Sequence, residues 1–249
     1  MNKFIPVYVI VLFMSKTVKA KKKPLLSFEL EGGVLWQSRN EIQVPNEEAA
    51  SRISLLDPLG KGPLPVGRFY ASWNINPNHA IRLLFAPLQV SQSKSMDDTI
   101  VFDNKTFGVG TEIDFTYKFN SYRLGYSYRL LNLEKLKGRI GFTAKIRDAR
   151  VTLENNNNKG EITDLGFVPL LYLYLDYNFY GDFYLLFDFN GLAGGPGRAF
   201  DVALKLKYDL NQDFSFTAGY RTIEGGVDVS SVYNFAWLHY AVISVIYNY

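Results

Sequence analysis

The chain has no cysteine, which excludes disulfides and thiolate metal centres. It has two histidines, His79 and His239, and neither stands in a zinc-ligand spacing. Beyond the first twenty residues no segment approaches the roughly 18 apolar residues of a spanning helix. A membrane location would therefore have to be built from strands. Net charge is also low. Lys3, Lys16 and Lys19 lie in a first stretch of twenty residues that holds no acid, and without them 24 basic and 24 acidic residues remain. That balance argues against the basic face of a nucleic-acid-binding protein.

Rings are what the chain has in quantity. Aromatic residues make up 16% of it, with 17 Tyr and 19 Phe. Sheets and membrane interfaces use such rings, because the body is apolar and Tyr adds a polar tip.

The first residues have the layout of a secretory signal: Met1-Asn2-Lys3, an apolar run from Phe4 to Met14, then a polar stretch closing on Val18-Lys19-Ala20. The run is about half the roughly 20 residues that a membrane anchor needs. Cleavage is expected after Ala20, although Lys16 and Lys19 are unusual so near the site. Residues 1–20 are then a signal peptide and residues 21–249 one barrel domain, starting with Lys21-Lys22-Lys23 as a solvated tail.

From Leu25 onward the dominant period is two. Phe214-Ser215-Phe216-Thr217-Ala218-Gly219-Tyr220-Arg221 is one example, and Phe200 to Tyr208 is another, placing Asp201, Lys205 and Lys207 on one face. Strands are expected over Leu25–Ser38, Gly67–Ile75, His79–Val90, Phe115–Leu131, Arg139–Val151, Gly166–Tyr177, Phe183–Asn190, Ala199–Leu210, Phe214–Glu224 and Trp237–Tyr249. Most have the length of a tilted strand crossing a bilayer.

Short connections (Asn76–Asn78, Asn132–Gly138, Asn178–Asp182, Asn211–Asp213) alternate with long ones (Arg39–Val66, Ser91–Asp114, Thr152–Leu165, Gly191–Arg198, Gly225–Ala236). Bacterial barrels show this asymmetry, with short periplasmic turns and long outer loops. The fold predicted is all-β, a single antiparallel up-and-down transmembrane β-barrel of about ten strands. The hairpin-like Thr99–Thr111 is read as a ribbon on an outer loop; were it to cross the membrane, the count would be about twelve. At the C-terminus Ile243, Val245, Tyr247 and Tyr249 alternate outward and end on an aromatic. This resembles the C-terminal insertion signal of outer-membrane barrels.

Several phrases add a family resemblance: Arg39-Asn40-Glu41-Ile42-Gln43-Val44-Pro45, Phe119-Asn120-Ser121-Tyr122-Arg123-Leu124, Gly166-Phe167-Val168-Pro169-Leu170-Leu171, Glu224-Gly225-Gly226-Val227-Asp228 and Tyr233-Asn234-Phe235-Ala236-Trp237-Leu238-His239-Tyr240. They resemble an uncharacterised family of Gram-negative outer-membrane β-barrel proteins. The resemblance implies a barrel in the cell outer membrane and carries no activity to transfer.

Inward registers are expected to hold a lumen charge network of Arg68, Arg82, Arg123, Arg129, Arg147, Arg221, Glu29, Glu31, Asp188 and Asp201, with Glu224 at a strand end. Buried charges must pair. Such a set either fills the lumen as an ion-pair plug or lines a narrow path for small anions and polar solutes.

An outer-membrane enzyme acting on lipid or peptide at the outer rim is the competing class. Its candidates are His239, Asp228 and Ser231, set against His239 as an interfacial residue bonded among Tyr233, Trp237 and Tyr240. His79 adjoins a short turn, the wrong end for such chemistry. A soluble periplasmic lipid-carrying barrel is the third class.

Other motifs are weaker. Gly191 to Arg198 is glycine-rich without the ending of a phosphate loop. Asn155 to Asn158 is a polar loop tip, and Asp97-Asp98 alone is a poor cation site. The loop Arg39–Val66, with Glu47, Glu48, Ile53, Leu55 and Leu56, is long enough to fold over the barrel mouth, as a lid, an adhesin surface or a cap. No cofactor or metal is expected. The expected partners are outer-membrane lipid and lipopolysaccharide and the outer-membrane insertion machinery, with no nucleic acid and a monomeric state.

Overall fold

Alternating sequence becomes paired strand through almost the whole chain. The structure, a computed structural model, describes residues 24–195 and 197–249. The expected signal peptide and Lys21 to Lys23 lie outside the described residues. The elements in chain order are β1 (Leu26–Gln43), β2 (Ile53–Ser54), the single-turn helix α1 (Leu56–Leu59), β3 (Leu64–Asn74), β4 (His79–Ala86), β5 (Gln89–Ser95), β6 (Ile100–Phe102), β7 (Lys105–Phe107), β8 (Glu112–Asn132), β9 (Leu136–Glu154), β10 (Lys159–Tyr180), β11 (Phe183–Gly194), β12 (Gly197–Asp209), β13 (Phe214–Val229) and β14 (Val232–Asn248).

Ten of these form the wall, in the order β14-β13-β12-β11-β10-β9-β8-β4-β3-β1. The wall closes where β1 pairs antiparallel with β14, from Ser27 opposite Asn248 to Gln43 opposite Tyr233. Closure gives each of the ten wall strands a neighbour on both sides, and rigidity comes without covalent cross-links. Two short additions, β2 on β1 and β5 on β8, complete the sheet. The predicted antiparallel barrel is therefore observed, with ten wall strands.

The Thr99–Thr111 segment holds the separate hairpin β6–β7 and does not enter the wall. Asp103 and Asn104, both at positive φ (51° and 56°), make its two-residue turn. At the end bearing the termini, Asn76 and Asn211 each accept two backbone N–H bonds in their own turns.

Two expectations need correction. The stretch His79–Val90 is broken into β4 and β5 at Pro87-Leu88. Proline has no N–H to give the ladder. The chain is held there instead by Leu88 N–H to Asn120 Oδ1 at 3.0 Å.

The long connections Thr152–Leu165, Gly191–Arg198 and Gly225–Ala236 are largely strand. Here β9, β10, β13 and β14 run on to tight turns, and β10 reaches 22 residues. Pairing continues past the apolar zone because the antiparallel ladder satisfies the backbone wherever two strands stay adjacent. Both faces turn polar or mixed there, so the apolar alternation that signals a strand fades before the strand ends.

The outer face carries a band of exposed apolar side chains, including Phe28, Leu83, Phe142, Phe167, Leu204 and Ile243. The inner face carries charged and small residues together with buried rings and aliphatics such as Tyr70, Leu84 and Tyr172. Gly141 shows how tightly the wall bends: a Cβ there would sit 1.9 Å from the carbonyl oxygen of Tyr126. Gly33 is similarly placed, 2.1 Å from Ala241 O.

Candidate functional site in the barrel interior

The interior has three levels. At mid-height, alternate positions of β1, β3, β4, β8, β11, β12 and β13 converge as an ion-pair lattice. Its cations are Arg68, Arg82, Arg123, Lys205 and Arg221; its carboxylates are Glu29, Glu31, Asp188 and Asp201.

Asp201, 2% exposed, is the hub. It accepts from Arg221 Nη1 at 2.5 Å and pairs with Arg68 Nη2 at 2.9 Å and Arg123 Nη2 at 2.8 Å. Glu31 takes Arg221 Nε at 3.2 Å and Lys205 Nζ at 2.8 Å. Lys205 also reaches Glu29 at 2.6 Å. Arg82 Nη1 lies 2.5 Å from Asp188 and its guanidinium 4.2 Å above the Tyr70 ring. Each charge of this lattice thus has an opposite partner, as burial requires. Two spaces of about 30 and 40 Å³ remain around this level, each enough for about one water.

Above the lattice, toward the end away from the termini, the interior is mainly apolar, with Gln37, Asn40 and Gln43 buried beside it. Residues of the 39–66 loop and of β6–β7 are packed into it. Ile53, Leu55 and Leu59 meet Ile100, Phe102 and Phe107, together with Ile113, Phe115 and Leu153 from the wall. Phe102 and Phe107 have no exposed surface. Ser51 and Val101 tie the two loops by backbone and hydroxyl bonds of 2.8 and 3.0 Å. Below the lattice the barrel opens into a cup of about 600 Å³ on the side of the termini.

The candidates named from sequence are placed as follows. Arg68, Arg82, Arg123, Arg221, Glu29, Glu31, Asp188 and Asp201 meet in the lattice. Arg129 lines the cup instead and pairs with no carboxylate among the described residues. Arg147 faces inward but pairs with Asp164, away from the hub. Glu224 is a correction: it takes the face of its register partner Trp237 and binds Arg198 at 2.8 Å.

Alternation puts Lys205 on the inward face, and the lattice takes it in; Lys145 is an inward cation that the sequence reading does not single out. Lys145 is 3% exposed and lies 4.8 Å above the Phe119 ring. Its place two residues before Arg147 on one strand was the available signal.

The enzyme candidates do not meet. His239 sits on the outer face, with Nδ1 2.5 Å from Tyr220 OH and Nε2 2.8 Å from Ser38 Oγ, beside the Trp237 ring at 5.3 Å. The expected partners Tyr233 and Tyr240 are not its neighbours, because Tyr240 is turned inward and Tyr233 binds Arg39 further along. Asp228 pairs with Tyr233, six register positions from His239, or about 20 Å at strand rise. Asp228 accepts from Asn46, and Ser231 lies in the β13–β14 turn. His79 is at the other end of the outer face, bonded to Tyr126 OH at 2.6 Å. Among the described residues no three His, Asp or Glu side chains gather as metal ligands would. Ile243, Val245, Tyr247 and Tyr249 share the outer face and are exposed.

No protein-family model and no curated protein matches the sequence. Solved structures do match in fold. The outer membrane protease OmpT of Escherichia coli aligns over 94% of this chain and 99% of its own at 11% identity, with a TM-score of 0.57. Neisserial surface protein A aligns over 90% and 97% at 11% identity and a TM-score of 0.39. Ail, the attachment invasion locus protein of Yersinia pestis, aligns over 90% and 99% at 11% identity and 0.35. At such identities the likeness to OmpT is one of fold: a closed antiparallel barrel of the kind found in outer membranes.

Proposed function

We propose that this chain is an integral outer-membrane barrel with a closed lumen, serving a structural role rather than conducting solutes. The observation that carries this is the double filling of the interior: an ion-pair lattice at mid-height and an apolar core above it. An anion path would need mobile water along the guanidinium groups, and here they are bound to carboxylates.

The exposed outer band supports placement in lipid, since water would leave Phe142, Phe167 and Ile243 unsheltered. Rings at both margins support it too. His79, Tyr126 and Tyr128 lie near the termini, and Trp36, Tyr220 and Trp237 lie toward the other end. The termini and short turns then face the periplasm, and the C-terminal strand presents Tyr247 and Tyr249 to the insertion machinery. A lipid carrier would need an apolar cavity where the lattice stands. A rim enzyme would need its acid and base together.

Reconstitution into planar bilayers tests this. The expected record is silent, with protein sedimenting with the envelope and needing detergent for extraction. Reproducible conductance steps would overturn the closed lumen, and extraction in plain buffer would overturn the membrane placement.

A further inference from the structure

The cup on the side of the termini holds more positive charge than its own acids match. Its carboxylates are all engaged: Glu29 and Asp188 with Lys205 and Arg82, and Asp176 and Asp209 with Lys207. Three further cations, Arg129, Lys137 and Arg139, line the same cup and have no carboxylate within 4.0 Å among the described residues.

Arg129 and Arg139 stand directly opposite one another on β8 and β9. Like charges in that position repel and destabilise a sheet. Neutral groups hold them loosely: Asn132 Oδ1 at 3.4 Å from Arg129, and Asn74 Oδ1 at 3.2 Å from Arg139. Arg129 Nε is buried without a hydrogen-bond partner. A purely structural plug would place a carboxylate between two such guanidiniums, as the lattice does around Asp201. Leaving them with neutral partners only makes sense if a ligand supplies the negative charge.

We propose that this cup is an anion site, built for a phosphate-type ligand bridging Arg129 and Arg139, with Lys137 adding charge at the rim. Two planar forks and a point charge suit a phosphate with several free oxygens. The cup is blind, because the lattice forms its floor, so the site captures and does not conduct. Its opening toward the periplasm follows from the orientation proposed above; the site itself does not depend on it. The phosphate could belong to a free solute or to an anionic phospholipid headgroup of the inner leaflet.

Pyrophosphate titrated into the full barrel in neutral detergent, followed by 31P line broadening, tests the first source. Native mass spectrometry of protein taken from phosphatidylcholine bilayers containing phosphatidylglycerol tests the second. Saturable pyrophosphate binding identifies a free anion, and selective retention of phosphatidylglycerol identifies a headgroup. In either case R129Q/R139Q should weaken the interaction at least about tenfold. K118Q, at the far end, should leave it unchanged. If the double variant does not fold, R139Q alone should weaken binding several-fold. Absence of both interactions, or equal binding by R129Q/R139Q, overturns the site. Conductance and anion binding are measured separately, so a leaky barrel and an empty cup are distinguishable failures.

Discussion

Asp201→Asn isolates the central claim, that mid-lumen charges hold the barrel as a lattice. Asp201 is 2% exposed and faces three guanidiniums at 2.5, 2.8 and 2.9 Å. Their losses are unequal. Arg221 and Arg68 keep Glu31 at 3.2 and 3.4 Å, whereas Arg123 is left with the Ser121 hydroxyl at 3.0 Å. The expected cost is therefore that of one broken buried pair, about 3–5 kcal/mol, and not three times that.

Urea unfolding in neutral detergent, followed by tryptophan and tyrosine fluorescence, measures it. Adding Arg123→Gln removes the stranded cation, so the double variant should recover about 1–3 kcal/mol relative to additivity. Asp57→Asn is the internal control. Its pair with Lys94 at 2.6 Å is exposed on both sides and should be worth about 0–1 kcal/mol. A D201N loss no larger than that of D57N, or strict additivity with Arg123→Gln, would refute the lattice as a unit.

Two further outcomes follow from the other levels. Phe102→Ala and Phe107→Ala each remove a fully buried ring from the apolar core and should cost about 3–5 kcal/mol in the same assay, while bilayer recordings stay silent because the lattice is intact. His239→Ala removes bonds to Tyr220 and Ser38 on the outer face; lipid A compared by mass spectrometry should be unchanged, and any altered lipid species would revive a rim enzyme.

Period-two alternation in an order of ten stretches was enough to determine a closed antiparallel sheet, because strand geometry sends successive side chains to opposite faces and an apolar outer face needs a partner or lipid. The same parity put Arg68, Arg82, Arg123, Arg221, Glu31 and Asp201 on one side. Parity is blind to distance around a barrel. Arg68 and Asp201 are 133 positions apart in the chain, and only closure of β1 on β14 brings their strands to face each other across the lumen. For the same reason the sequence could not tell that Arg129 and Arg139 would meet unmatched, since that depends on the register of β8 against β9 and on the bulge beyond it. The apolar plug was half legible: the 39–66 loop was expected over the mouth, but its partner was not. Leu55 and Phe102 carry no period that predicts a shared core, and it took the three-dimensional path of two loops into the barrel mouth to put them there.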